Sequence, residues 1–433
     1  MNACARERAV DVVLLAALKA ALGAWVLHVG FTHVSDDDYA RVVIAELFAH
    51  QPKLDPSGTS WLPFPFWMTG GAMMLVGRSL ETARLIGFAL GAASVAPVYL
   101  TMRALGMGRR AALLATGIGM ATPWNAWLGV ATVPEAITGS LIAAGALAAG
   151  VPAARPWAAW GLGIAALSRY EAWPVCSVFA LAAVFARRPR GQTWCAGVAV
   201  FGPIAWMLWN AHAHDGALHF LRRVTAYKNA VMPSEPLEAM AVVPQALLAA
   251  APEIVALAFL GLAAVRHRDF RQRWALPLVS LGALVLFLVI GEWRGGAPTH
   301  HPERALVAAL WILSAFGVDG LFAIVGRVAW RRSGREAWVA AAVAGSFVLW
   351  FAYLGSRIQA PPGTSAADRR DRQIALGREL AISGAFALEV VPCAYEHFAL
   401  LAAFGAPERA SIGDATGKTT TGDCPQVVIR QGL

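Results

Sequence analysis

Short polar runs interrupt an otherwise apolar chain, and each carries residue types that could do chemistry. Asp36, Asp37 and Asp38 stand together directly before Tyr39. A carboxylate there could deprotonate an incoming hydroxyl group or hold a cation. The same run also suits the start of a helix at Tyr39, where Asp38 would be the cap and Asn would serve nearly as well. Glu135 follows Pro134, where an acid either complements a helix macrodipole or serves a site. Arg169-Tyr170-Glu171 lies between two apolar stretches with no loop to solvate it. Arg169 and Glu171 fit two readings, a pair that neutralises itself and a functional site, and charge at membrane depth marks a functional candidate. His300, His301 and Arg304 combine imidazole donors with a guanidinium, which suits an anionic phosphate. Arg304 could instead snorkel to lipid headgroups. The His300-His301 pair, and His212 and His214 with His219, lack the spacing of a complete metal set. No P-loop, dinucleotide-binding glycine loop or G-x-S-x-G occurs. None of the 5 cysteines forms a C-x-x-C pair. Cys393 and Cys424 are expected to pair if their segment lies in an oxidising compartment.

The elements that must hold these residues are transmembrane helices. The chain is 58% hydrophobic and 15% charged, with a mean hydropathy of +0.54, whereas soluble domains carry about a quarter charged residues. Apolar runs of about 18 residues or more recur without period-2 alternation, so helices are expected over a barrel. About eleven spans are expected: 12–31, 80–103, 111–129, 135–150, 157–170, 172–186, 194–210, 246–265, 275–291, 304–326 and 337–354. The first is read as an uncleaved helix rather than a signal peptide.

The net charge of +9 reflects topology rather than nucleic-acid binding. With eleven spans, Arg6 and Arg8, Arg103, Arg109 and Arg110, Arg155, Arg187 to Arg190, Arg266 to Arg273, and Arg327 to Arg335 all fall on one side. The positive-inside rule makes that side cytoplasmic. Every polar run described above then falls on the other side. The segment 32–79 there holds an amphipathic stretch, 39–50, expected on the membrane surface, and an aromatic run, Trp61-Leu62-Pro63-Phe64-Pro65-Phe66-Trp67. The chain divides into a transmembrane unit, 1–354, and an extracytoplasmic α/β unit, 355–433. The latter is expected to hold helices at 368–381 and 394–404 and strands at 386–391, 411–412 and 425–429.

This layout resembles the GT-C superfamily of membrane glycosyltransferases, in particular the protein O-mannosyltransferases and the aminoarabinose- and RgtA-type bacterial enzymes. The resemblance rests on Ser35-Asp36-Asp37-Asp38-Tyr39, on Trp61-Leu62-Pro63-Phe64-Pro65 ahead of Arg78-Ser79-Leu80-Glu81-Thr82-Ala83-Arg84-Leu85, on Arg169-Tyr170-Glu171, and on Glu303-Arg304-Ala305-Leu306. It covers residues 1 to about 354. The family often shows Asp-Glu where this chain has three Asp, which leaves open whether Asp36 or Asp37 matches its catalytic acid.

The resemblance implies transfer of a sugar from a polyprenyl-phosphate donor to an acceptor hydroxyl of a lipid, glycan or protein, with inversion, at the outer face of a bacterial inner membrane. Asp36 or Asp37 would be the base. Arg169, His300, His301 and Arg304 would hold the phosphate, and Glu135, Tyr170 and Glu171 would orient sugar or cations. No metal ligand and no cofactor is assigned, though the acidic run leaves room for a divalent metal. The rival reading is a transporter or lipid flippase, in which Arg169 and Glu171 serve an ion relay.

Overall fold

The computed structural model describes residues 3–185, 192–231, 235–296, 301–330, 353, 355–359, 370–384, 387–392, 395–413 and 426–430. The helices are α1 (Ala3–His28), α2 (Asp37–His50), α3 (Phe64–Val76), α4 (Leu80–Ala93), α5 (Val95–Ala104), α6 (Arg109–Met120), α7 (Pro123–Leu128), α8 (Glu135–Ala148) and α9 (Arg155–Ala166). They continue with α10 (Ala172–Phe185), α11 (Trp194–Ala213), α12 (His219–Val231), α13 (Pro236–Ala250), α14 (Pro252–Ala264), α15 (Arg268–Trp293) and α16 (Val307–Trp330).

The protein is an integral membrane protein of helices. Among the described residues, five helical stretches are long and apolar enough to cross a bilayer alone: Ala5–His28, Leu80–Ala104, Trp194–Ala213, Arg268–Trp293 and Pro302–Val325. A sixth is the pair α13 and α14, bent by 95° at Ala251. The expected span 246–265 runs across this bend, which Pro252 produces because it cannot donate to the preceding turn. α3, α8 and α10 are shorter apolar helices. The expected span 337–354 falls almost wholly outside the described residues.

The stretch Pro302–Val325 is the central pillar, with 72% of its apolar window buried against 28% for α1. It packs on α6, α8 and α14. Gly139 of α8 lets α16 approach closely, since a β-carbon there would lie 2.7 Å from Val307 Cγ1. Gly139 is one turn beyond Glu135, and Val307 is close to one turn beyond Arg304, so this approach brings those two charges together. Gly91 of α4 has a similar duty. A β-carbon there would sit 1.8 Å from the Gly129 carbonyl oxygen, so only glycine lets α4 lie against the 129–134 segment.

Charges at the opposite end tie helices together. Asp11 accepts from Arg109 at 2.7 and 2.9 Å and from Tyr99 at 2.5 Å, and Asp319 accepts from Trp274 Nε1 at 2.8 Å and from Arg273. The buried Lys19 ammonium donates to the carbonyls of Met120 (3.2 Å) and Asn125 (2.6 Å). It thereby serves the carbonyl that ends α6 and ties α1 to α7.

The C-terminal segment forms α17 (Asp371–Ile382), β1 (Ala387–Val391), α18 (His397–Phe404), β2 (Ala410–Ile412) and β3 (Gln426–Arg430). The sheet order is β2-β1-β3, with β1 parallel to β2 and antiparallel to β3. α2 does not lie with one face in lipid, as its amphipathic pattern led us to expect. It is buried between this segment and the membrane helices. Tyr39, Val42 and Val43 share one apolar cluster with Leu400, Leu401 and Phe404, while α3 covers another side. Arg78 grips Glu408 at 2.8 and 3.0 Å across the same interface.

Glu46 is sealed in this interface. It is fully buried, and neither carboxyl oxygen has a hydrogen-bond partner among the described residues. Burial raises its carboxyl well above the usual range, and the nearby Glu408 and Glu81 carboxylates add to this. As pH rises past about 4.5 the unfolded chain sheds this proton while the folded chain keeps it, so Glu46 costs stability increasingly at higher pH. Glu46→Gln is therefore expected to match the parent at about pH 4 and to exceed it in thermal stability by a margin that widens toward about pH 8. Parallel pH dependences for the two proteins would contradict this.

Candidate functional site

α2 begins at Asp37 rather than at Tyr39, because Asp37 and Asp38 both complement the positive end of its dipole. Asp36 stands at the cap position but makes no side-chain cap bond. The three acids face different ways. Asp36 is held by Arg370, ahead of α17, with Nε to Oδ1 at 2.9 Å and Nη2 to Oδ2 at 3.1 Å. Asp37 has a half-exposed side chain and accepts from Arg304 Nη1 at 3.2 Å.

Asp38 is buried and does not cap the helix. Its Oδ2 accepts from the backbone N–H groups of Val34 (3.1 Å) and Ser35 (3.3 Å), and its Oδ1 accepts from the N–H of Thr132 (3.1 Å). The Thr132 hydroxyl donates to the Asp38 carbonyl at 2.8 Å. Asp38 thus staples the loop after α1 to the segment before α8. Burial raises its carboxyl above the usual range, against the pull of Arg304, His33 and these N–H groups. This reverses the expectation that Asn would serve at 38. Asn offers one acceptor oxygen where two are used, so a buried N–H is left facing an amide donor. Asp38→Asn is expected to cost about 1–3 kcal/mol, seen as a lower midpoint in thermal unfolding. An unchanged midpoint would show that the staple is dispensable.

Segments far apart in the chain then meet. Glu135 opens α8 and is buried. Its Oε1 accepts from Arg304 Nε (3.0 Å), Arg304 Nη2 (2.7 Å) and Arg169 Nη1 (2.7 Å). Arg304 Nη1 also donates to the Ser35 hydroxyl at 3.1 Å. Arg169 closes on Glu171 through Nε at 3.1 Å and through Nη2. The result is a continuous ladder from Asp37 through Arg304, Glu135 and Arg169 to Glu171. Every guanidinium nitrogen of Arg304 and Arg169 donates to an oxygen of the protein, though each group keeps at least one N–H beyond these bonds.

Arg41, which the sequence reading passed over, is different. It lies one turn beyond Asp37 on the same face of α2. Its guanidinium sits 4.6 Å above the Trp61 ring and 5.7 Å from Phe66. The residue is 7% exposed, and Nε has no hydrogen-bond partner among the described residues. Burial lowers it to about 10, although the carboxylates of Glu135 and Asp37 pull the other way. A buried cation without a paired carboxylate is costly unless a ligand completes it. Arg41 lines a crevice with Pro65, Phe66, Thr69 and Thr132. That crevice shares Pro65, Thr69, Ala83 and Thr132 with a second one, walled by Met68, Ile86, Leu90 and Ile137.

The other expected site residues fall elsewhere. Tyr170 is an anchor beside the ladder: its hydroxyl donates to the Ser60 carbonyl at 2.7 Å, accepts from Trp206 Nε1 at 3.0 Å, and its ring stacks on Phe220 at 4.7 Å. His301 stands against Trp124 at 5.4 Å, and His300 lies outside the described residues, as do Cys393 and Cys424. His214 stacks on His219 at 4.4 Å. Among the described residues no group of three or more His, Cys, Asp or Glu is arranged to hold a metal ion.

No family model and no curated protein matches the chain. Solved structures do. The crystal structure of ArnT from Cupriavidus metallidurans bound to undecaprenyl phosphate aligns with a TM-score of 0.54 and 16% identity, over 91% of this chain and 74% of that chain. ArnT is a GT-C glycosyltransferase. This chain has the GT-C fold. The apo structure of the same ArnT aligns over the same shares, with a TM-score of 0.49 and 15% identity. Within the GT-C fold, the acidic turn after α1, the start of α8, the α9–α10 break and the start of α16 supply the charged ladder.

Proposed function

We propose that this protein transfers a sugar, a hexose or pentose, from a polyprenyl-phosphate donor to an acceptor hydroxyl at the outer face of a bacterial inner membrane. The observation that carries the reading is Arg41, a buried guanidinium whose Nε has no partner among the described residues, lining a crevice one helical turn from the half-exposed Asp37. The GT-C fold shared with ArnT, a protein solved with undecaprenyl phosphate, adds support.

In this reading Arg41 takes the donor phosphate. Asp37 is the base, because Asp36 is occupied by Arg370 and Asp38 by backbone N–H groups. The acceptor oxygen attacks the anomeric carbon while its proton passes to Asp37. The bond from that carbon to the phosphate oxygen breaks, and the electron pair leaves with the lipid phosphate. A single displacement inverts the anomeric centre. Arg41 stabilises the charge that develops on the leaving phosphate. Arg304 orients Asp37, and Glu135, Arg169 and Glu171 fix Arg304. Residues 1–354 form the catalytic unit and 355–433 an extracytoplasmic α/β unit.

Native mass spectrometry of the purified protein with undecaprenyl phosphate and with undecaprenol tests the phosphate site. Retention of the phosphate, and not the alcohol, is expected. Equal retention of both would remove the reading's main support.

A further inference from the structure

The tail's grip on the acidic turn has a use beyond docking. The two oxygens of Asp36 and two nitrogens of Arg370 meet fork to fork, a geometry that fixes the carboxylate plane as well as its distance. Arg370 is itself held: its side chain is 10% exposed, with Glu396 Oε1 3.7 Å from Nη1. Glu396 also accepts from Gln373 at 3.3 Å. Behind these groups α17 packs on α18, and α18 packs on α2. The acidic turn is therefore clamped from two sides. Asp38 is stapled to Thr132 by the membrane helices, and Asp36 is pinned by the tail. Asp37, between them, is the one carboxylate left half exposed.

We propose that Arg370 is a positioning residue, which through Asp36 sets the direction in which Asp37 presents its carboxylate, so that the C-terminal segment is a working part of the active site. This rests on the transferase reading. Arg370 touches neither donor nor acceptor in it. Docking of the segment has other supports, the Arg78–Glu408 pair and the shared apolar cluster, which loss of Arg370 leaves in place.

The test compares Arg370→Ala, Arg370→Lys, Asp36→Asn, the double variant and Arg78→Ala, all in the full chain. Hydrogen exchange across residues 34–43 reads the turn directly, without any need for activity. Arg370→Ala is expected to speed exchange there about tenfold or more, and Arg78→Ala to leave it unchanged. In transfer from a polyprenyl-phosphate sugar, Arg370→Ala is expected to lower kcat by roughly ten- to a hundredfold with little change in donor KM. Arg370→Lys should recover part of that loss, since it keeps the charge and loses the fork. Asp36→Asn should match Arg370→Ala, and the double variant should be no worse than either. Unchanged exchange in the turn, or equal losses in Arg370→Ala and Arg78→Ala, would overturn the proposal. Should the parent protein transfer no sugar, the transferase reading fails, while the exchange comparison still decides whether Arg370 orders the turn.

Discussion

Asp37→Asn is expected to lower sugar transfer by about 10²–10⁴-fold, the usual worth of a positioned general base, while the protein folds and retains undecaprenyl phosphate. Asn keeps the volume and can still meet Arg304, but it cannot take the acceptor proton. Asp36→Asn should lose less, because in the proposed mechanism its carboxylate orients and does not react. This separates two residues that the sequence leaves equivalent. Their partners differ: Asp36 receives a guanidinium fork at 2.9 and 3.1 Å, whereas Asp37 makes a single 3.2 Å bond and stays half exposed. The measurement is turnover of the purified variants beside lipid retention. Near-parent turnover in Asp37→Asn, with Asp36→Asn inactive, would exchange the two assignments.

Arg41→Ala is expected to lower kcat/KM for the lipid donor by about 10²–10³-fold, the cost of removing one main donor to a developing oxyanion. Undecaprenyl phosphate retention should fall with it. Arg41→Lys should recover only part, since an ammonium group stacks poorly on Trp61 and offers no planar fork. Stability should not fall, because the parent buries this cation without a matching carboxylate bond. Arg304→Ala should behave differently. It leaves Glu135 and Asp37 without their shared guanidinium, so the protein should lose stability as well as turnover. Donor titrations and thermal unfolding on the two Ala variants separate these patterns. Unchanged donor kinetics in Arg41→Ala would place the phosphate elsewhere.

Much of the helical frame is legible because its boundaries are chemical. Expected spans beginning at 80, 135, 172 and 194 coincide with the starts of α4, α8, α10 and α11. There a serine cap, a Pro-Glu pair, a charged break or a polar turn meets an apolar run. The described helices and strands of the tail also begin and end within about three residues of the expected ones. The charged ladder was half legible. Glu135, Arg169, Glu171 and Arg304 stand out because charge at membrane depth is costly, but their pairing needs the α8–α16 approach that Gly139 permits.

Other features left no such signal. Arg41 reads as one more polar residue of a surface helix; the only hint is its four-residue spacing from Asp37. Arg370 is 334 residues from Asp36 and sits in a run of mixed charge with nothing to mark it out. Asp38 looks like a cap, and only the path of the 129–134 segment turns it into a staple. The surface position expected for α2 failed for the same reason: amphipathicity shows that a face is covered, but does not say whether lipid or protein covers it.

The most direct measurement incubates the purified protein, in lipid nanodiscs, with a panel of polyprenyl-phosphate sugars and a mixture of envelope lipids and glycans. Products are read by mass spectrometry. The expected result is free polyprenyl phosphate together with a product one sugar heavier, formed by the parent protein and lost in Asp37→Asn. Intact donor throughout, with the protein moving the lipid or an ion across the bilayer instead, would contradict the account and put the transporter reading in its place.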